Sequence, residues 1–168
     1  MPTMKPAPTD ADDIDFNPPL HQYLTYRMSR VQAKLNIQAT RMLRAASGIT
    51  LLQWRIIALI GAAGQTRMSE LSKEAALDKG LLSRNLKTLI EDGVVNAFQD
   101  KSDHRAQNLS LSAKGIDIFE RTLPVSRRRQ QLLQDTLTAE ELRVFRRVLD
   151  KLEQSAEIII PTKNQGTP

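Results

Sequence analysis

Cysteine is absent from the chain, which excludes disulfides, thiolate metal sites, nucleophilic cysteines and thiol redox sensing together. Histidine occurs only at His21 and His104, far apart in sequence, so neither a histidine metal site nor any other metal or cofactor is expected. Aromatic residues make up 4% of the chain, too few for the stacking platforms that hold single-stranded nucleic acid. No apolar run approaches the roughly 18 residues that span a bilayer, and the opening MPTMKPAPTDADDID lacks the apolar core of a signal peptide. A soluble, cytoplasmic protein with no membrane partner is the expectation. Catalytic signatures are missing as well: GAAGQTR lacks the Gly-Lys-Ser/Thr that completes a phosphate loop, and there is no Gly-x-Ser-x-Gly. With no histidine-containing catalytic pair close in sequence either, an enzyme is not expected.

The 168 residues suit one domain with elaborations and are enough to bury a real core. Lys and Arg total 24 against 19 for Asp and Glu, which leaves a charge of +5. The sequence pI near 9.7 makes an anionic partner plausible. The first 19 residues, rich in Pro, Asp and Thr, read as a disordered arm. Its aspartates Asp10, Asp12, Asp13 and Asp15 lack the glycine and closing glutamate of a calcium loop, so a solvated acidic segment is the better reading.

From Leu20 to about Ala46, Leu24, Met28, Val31, Leu35, Gln38, Met42 and Ala45 alternate at four-and-three spacing, a heptad seam on one long helix. Such a helix is about 40 Å long, more than one small core covers, so part of its stripe needs another partner. Thr50 and Gln53 predict a capping box opening a second helix to about Ala63, with Gly64 ending it. A short helix capped by Ser69 follows, with Leu71 and Leu77 facing inward. Asp78 caps the next helix, which ends at Gly93. VVNAF and NLSLS then read as two strands of a hairpin whose tip is the charged QDKSDHRAQ. Ser112 caps a fifth helix that Pro124 is expected to kink or interrupt. In the last helix Thr138 and Glu141 form a capping box, and Leu142, Phe145, Leu149, Leu152, Ala156 and Ile159 keep a strict three-and-four spacing. Residues 161–168 read as a disordered tail.

The segment DKGLLSRNLKTLIEDG carries the chemistry. At about 100° per residue, Leu82, Leu86, Leu89 and Ile90 share one arc, while Gly80, Arg84, Lys87, Thr88 and Glu91 occupy the opposite one, with Leu81 and Ser83 on its flanks. The tight ALDKG connection to the preceding helix makes a helix-turn-helix, whose second helix enters a major groove with its N-terminal residues at base edges. Arg84 is suited to guanine, Ser83 to a base or phosphate, Leu81 to a thymine methyl and Lys87 to a phosphate. A solvated amphipathic surface helix would show the same two faces. The hairpin that follows favours DNA: with Lys101, His104 and Arg105 at its tip it forms a wing, and an arginine there fits a narrow minor groove. Asp103 is placed to accept hydrogen bonds from an arginine and hold it.

With GITLLQWRIIALI, MSELSKEAALDKGLLSRNLKTLIEDGVV and DKSDHRAQNLSLSAKG in order, followed by two C-terminal helices, the chain resembles the MarR family of bacterial transcriptional regulators over Leu20 to Ile160. The resemblance implies a mainly α fold with a small β-hairpin wing: a winged helix-turn-helix, residues 48–112, flanked by a dimerisation region formed by residues 20–47 and 113–160. It implies a homodimer, for which Leu24, Met28, Val31, Leu142, Phe145, Leu149, Leu152 and Ile159 are the dimerisation residues. It also implies a pseudo-palindromic operator in double-stranded DNA with half-sites about 10 base pairs apart. Family members typically repress genes, and many release DNA on binding a small aromatic or phenolic effector. Tyr23, Arg27, Trp54 and Arg55 are candidates to line such a pocket, the arginines pairing a carboxylate. Two rival readings remain at this stage: a non-specific architectural DNA-binding protein and a helical dimeric adaptor.

Overall fold

The structure, a computed structural model, describes residues 19–75, 78–99 and 107–158. A 3-10 turn at Leu20–Gln22 is closed by the Gln22 and Tyr23 amides on the carbonyls of Pro19 and Leu20. Tyr23 is extended at ψ 135°, so the first helix, α1, spans Leu24–Ser47 and starts four residues later than the apolar spacing suggests. Gly48 ends it at φ 72°, a left-handed conformation that glycine adopts without Cβ strain, and its N–H reaches the carbonyls of Leu43 and Arg44.

Helix α2, Leu51–Ala63, opens with the expected capping box: the Gln53 N–H donates to Thr50 Oγ1 at 3.2 Å and the Thr50 N–H to Gln53 Oε1 at 2.9 Å. Its residues Ile56, Ile57 and Ile60 are fully buried, each worth roughly 1.5–3 kcal/mol relative to exposure. Next comes a strand the periodicity does not reveal, β1 at Gln65–Arg67. Three residues are too few for a legible alternation, and the strand exists because it pairs with a distant one. It also moves the cap of helix α3, Met68–Glu74, from the expected Ser69 to Arg67, whose extended backbone belongs to β1. Glu70 accepts from the Arg67 N–H at 3.2 Å and from the Thr66 hydroxyl at 3.3 Å, fixing that corner.

Helix α4 covers Lys79–Glu91, strand β2 Val95–Gln99 and strand β3 Gln107–Leu111. β3 is central, antiparallel to β1 on one side and to β2 on the other, with Leu109 opposite both Thr66 and Ala97. Helix α5 runs from Ala113 to Gln134 and helix α6 from Ala139 to Ala156. Their expected caps are present: Ser112 accepts from the Gly115 N–H, and Thr138 and Glu141 form the reciprocal box. Pro124 does not interrupt α5, contrary to expectation. The helix is pinned on both sides of the proline: Thr122 is fully buried with its hydroxyl on Ser47 Oγ at 2.9 Å, and Arg129 donates to the Leu35 carbonyl and Gln38 Oε1 on α1. These ties outweigh the backbone hydrogen bond that proline cannot make.

One core joins the last turns of α1, helix α2, α3, α4, the sheet and the first half of α5; Leu43, Leu71, Leu82, Leu89 and Leu109 are each at most 1% exposed. In α1 the core residues are Ala39 and Leu43, one position along from the seam residues Gln38 and Met42. The seam itself serves another face. Leu24, Met28 and Val31 remain 42–56% exposed, and α6 buries no residue at all. Ile159, the last seam residue, lies outside the described residues, as do residues 1–18, 76–77, 100–106 and 160–168.

Candidate nucleic-acid interface

The α4 helix is positioned by its leucines. Leu82, Leu86 and Leu89 are buried against the core, and Ile90 is half-buried, so rotation about the helix axis is fixed. Asp78 caps the N-terminus by accepting from the Leu81 N–H at 2.9 Å. At the other end Gly93 takes φ 67°, and the Gly93 N–H bonds the Ile90 carbonyl, which turns the chain sharply into β2.

Fixed in this way, α4 presents Leu81, Ser83, Arg84 and Lys87 outward, all exposed. Gly80 lies beneath two of the groups that matter. A Cβ there would sit 3.2 Å from Asp78 Oδ1, tighter than usual, and 3.8 Å from Arg84 Nη1, an ordinary contact. The glycine therefore leaves room for the capping carboxylate more than for the arginine. Lys87 stands 3.7 Å from Glu91, both largely in solvent, a pair too exposed to hold the lysine back from a phosphate. Ser83 and Lys87 line a shallow cavity of about 320 Å³ together with Met68, Leu86, Ile90 and Gln107, where α4 meets α3 and β3.

Asn85 and Thr88 look available in the sequence but are turned back onto their own helix. Asn85 Nδ2 donates to the Leu81 carbonyl and Thr88 Oγ1 to the Arg84 carbonyl. Lys79, in the first turn of α4 and ahead of its apolar repeat, is a further exposed cation on this helix. The hairpin stem is present as β2 and β3, whereas its tip residues Lys101, Asp103, His104 and Arg105 lie outside the described residues.

The effector candidates differ in their surroundings. Trp54 is 7% exposed in the core and stacks on Phe119. Arg27 lines a shallow depression with Arg30, Val31 and Lys34, and Tyr23 and Arg55 are exposed. The seam residues are brought together more closely. Leu24, Met28, Val31 and Leu35 of α1 and Phe145, Leu149 and Leu152 of α6 line an open apolar groove of about 420 Å³. Leu142, half-buried, continues the α6 stripe toward its first turn.

Among the described residues no group of three His, Asp or Glu side chains is placed to hold a metal, and no single helix is long and apolar enough to cross a membrane. Away from α4, the pKa of Glu141 is lowered by the hydrogen bonds its carboxylate accepts from the Thr138 N–H and hydroxyl.

Residues 47–106 match the model of the MarR family. The HTH-type transcriptional repressor IacR of Pseudomonas putida is 22% identical over 134 residues, 80% of each chain. Among solved structures, the M. tuberculosis transcriptional regulator MOSR in complex with DNA is 27% identical; the match covers 81% of this chain and 97% of that one, with a TM-score of 0.68. A cysteine-to-serine mutant of MarR from E. coli, complexed with operator DNA, is 26% identical over 76% of this chain and 94% of its own, with a TM-score of 0.63.

Proposed function

We propose that the chain, which matches the MarR family over residues 47–106, is a DNA-binding transcriptional regulator of that family, a sequence-specific repressor acting as a homodimer on a pseudo-palindromic operator. The observation that carries the proposal is the division of α4 into a buried leucine face and an exposed face holding Leu81, Ser83, Arg84 and Lys87. A helix held rigidly from behind, with cations and short polar groups in front, is what major-groove readout requires. Arg84 pairs with guanine, Ser83 and Leu81 contact neighbouring base edges, and Lys87 with Lys101 neutralises phosphates. Arg105 enters the minor groove beside them, oriented by Asp103.

Residues 48–112 form the DNA-binding unit in this reading, and residues 20–47 with 113–160 form the dimerisation region. Supporting the second assignment, the α1 and α6 stripes leave Phe145, Val31 and Leu24 more than half exposed, a cost that a second copy of the chain removes. A small aromatic or phenolic effector is the proposed release signal. By linkage, operator and effector must weaken each other's binding by the same factor. Equal effector affinity with and without operator would remove release from the proposal.

Selection of bound sequences from a random duplex library tests the main reading. Enrichment of a two-fold symmetric site, lost in Arg105→Ala, is the expected result. Binding that merely weakens with salt, without enrichment, would mean a non-specific DNA coat, and no binding would mean a helical adaptor.

A further inference from the structure

Three consecutive carbonyls at the exit of the recognition helix, those of Asp92, Gly93 and Val94, all accept hydrogen bonds from one short stretch at the start of α5. Lys114 Nζ donates to the Asp92 carbonyl at 2.8 Å, the Ser112 hydroxyl donates to the Gly93 carbonyl at 2.6 Å, and the Ser112 N–H donates to the Val94 carbonyl at 3.0 Å. Ser112 Oγ also accepts from the Gly115 N–H at 3.1 Å, so the residue that caps α5 is the one that holds α4. The approach is backbone to backbone. Gly115 is buried, and a Cβ there would overlap the Val94 carbonyl oxygen, with Leu111 Cβ a further 3.2 Å neighbour. No larger residue allows this contact without pushing α5 away.

A helix end leaves its last carbonyls without partners, and the summed peptide dipoles place negative charge there. An ammonium at the Asp92 carbonyl satisfies both needs, so the bond is directional and charge-assisted. Because α5 extends for 22 residues, about 33 Å, and is tied to α1 by Thr122 and Arg129, the latch connects the recognition helix to the dimerisation helices through one continuous rod.

We propose that Lys114, with Ser112 and Gly115, is a positioning residue for DNA recognition: it fixes the angle at which α4 is offered to the operator without touching DNA. The inference rests on the DNA-binding reading and adds a role for residues outside the helix-turn-helix. The site it assigns lies at the opposite end of α4 from Leu81, Ser83 and Arg84.

The test compares wild type, Lys114→Met, Lys114→Arg and Lys151→Met, the last removing the same charge from the exposed side of α6. Two probes are used: the duplex that wild type selects from a random library, and a scrambled duplex of equal length. Lys114→Met is expected to raise the Kd for the selected duplex about three- to fivefold, as befits a charge at a helix end. It should leave the scrambled duplex and the slope of log Kd against log salt unchanged. Lys114→Arg should restore selectivity, and Lys151→Met should alter neither probe. A slope reduced by about one would make Lys114 a phosphate contact and overturn the proposal. Unchanged binding of both duplexes by Lys114→Met, even with a lowered melting temperature, would reduce the latch to a packing feature and overturn it too. If wild type selects no duplex, the DNA-binding reading itself fails, an outcome visible before any variant is measured.

Discussion

Phe119 of α5 stacks on Trp54 of α2 with ring centroids 6.1 Å apart and planes inclined by 27°. The same ring lies over Gly61, where a Cβ would come within 2.7 Å of it. Gly61 therefore occupies a helix interior, where alanine is intrinsically better by about 1 kcal/mol, because the phenyl ring needs the space. Gly61→Ala is expected to destabilise the wild type by about 1–2 kcal/mol in urea unfolding, since the crowded ring must shift. In a Phe119→Ala background the same change should stabilise by up to about 1 kcal/mol. The same sign in both backgrounds would refute the coupling.

Arg84 and Lys87 share a face, yet their expected contributions differ in kind. Arg84→Ala should cost about 1–3 kcal/mol on the selected duplex and broaden the sequences accepted at one position of each half-site. Lys87→Ala should weaken all duplexes alike and lower the salt slope by about one. A Lys87 variant that changed which operator is preferred would show that these roles are wrongly divided.

Phe145 is 52% exposed and Leu149 37% exposed on the α6 stripe that faces Leu24, Met28 and Val31 of α1. If this is the dimer contact, Phe145→Lys should weaken self-association by at least about 30-fold, the loss expected of a central apolar anchor. Sedimentation equilibrium across a dilution series reads the change. An unaltered association constant would place the dimer contact elsewhere.

The Glu141 carboxylate at the start of α6 accepts two hydrogen bonds, from the Thr138 N–H and the Thr138 hydroxyl, while its own N–H donates to Thr138 Oγ1, and its pKa is held below the ordinary value near 4.5. A depressed folded-state pKa means that stability is fully present above the unfolded value and declines as pH falls through the folded one. Helical content should therefore drop on acidification below about pH 4.5 more steeply in wild type than in Glu141→Gln, which has no charge to lose there. Parallel acid transitions by circular dichroism would show that the box contributes nothing through ionisation.

Much of the architecture was legible because it is local. Thr50 with Gln53, Asp78, Ser112, and Thr138 with Glu141 act within one turn of their own helix, so the sequence announces them and the structure carries the same bonds. The leucine phase of α4 was equally readable, since Leu82, Leu86 and Leu89 keep the helical repeat. β1 and the Arg67 cap were not, because a three-residue strand has no period and exists only through its pairing with β3. Pro124 misled for a related reason: its local penalty is real, but Thr122 and Arg129 hold α5 to segments more than seventy residues away in sequence.

By itself the sequence determined the helices, the caps of α2, α4, α5 and α6, and which side of α4 is exposed, all consequences of hydrogen bonds and periodicities spanning a few residues. Only the tertiary structure decided that Trp54 packs in the core against Phe119, and that Lys114 grips the Asp92 carbonyl. Both follow from contacts between segments distant along the chain, whose geometry depends on how α2, α4 and α5 pack together and leaves no pattern in the spacing of residues.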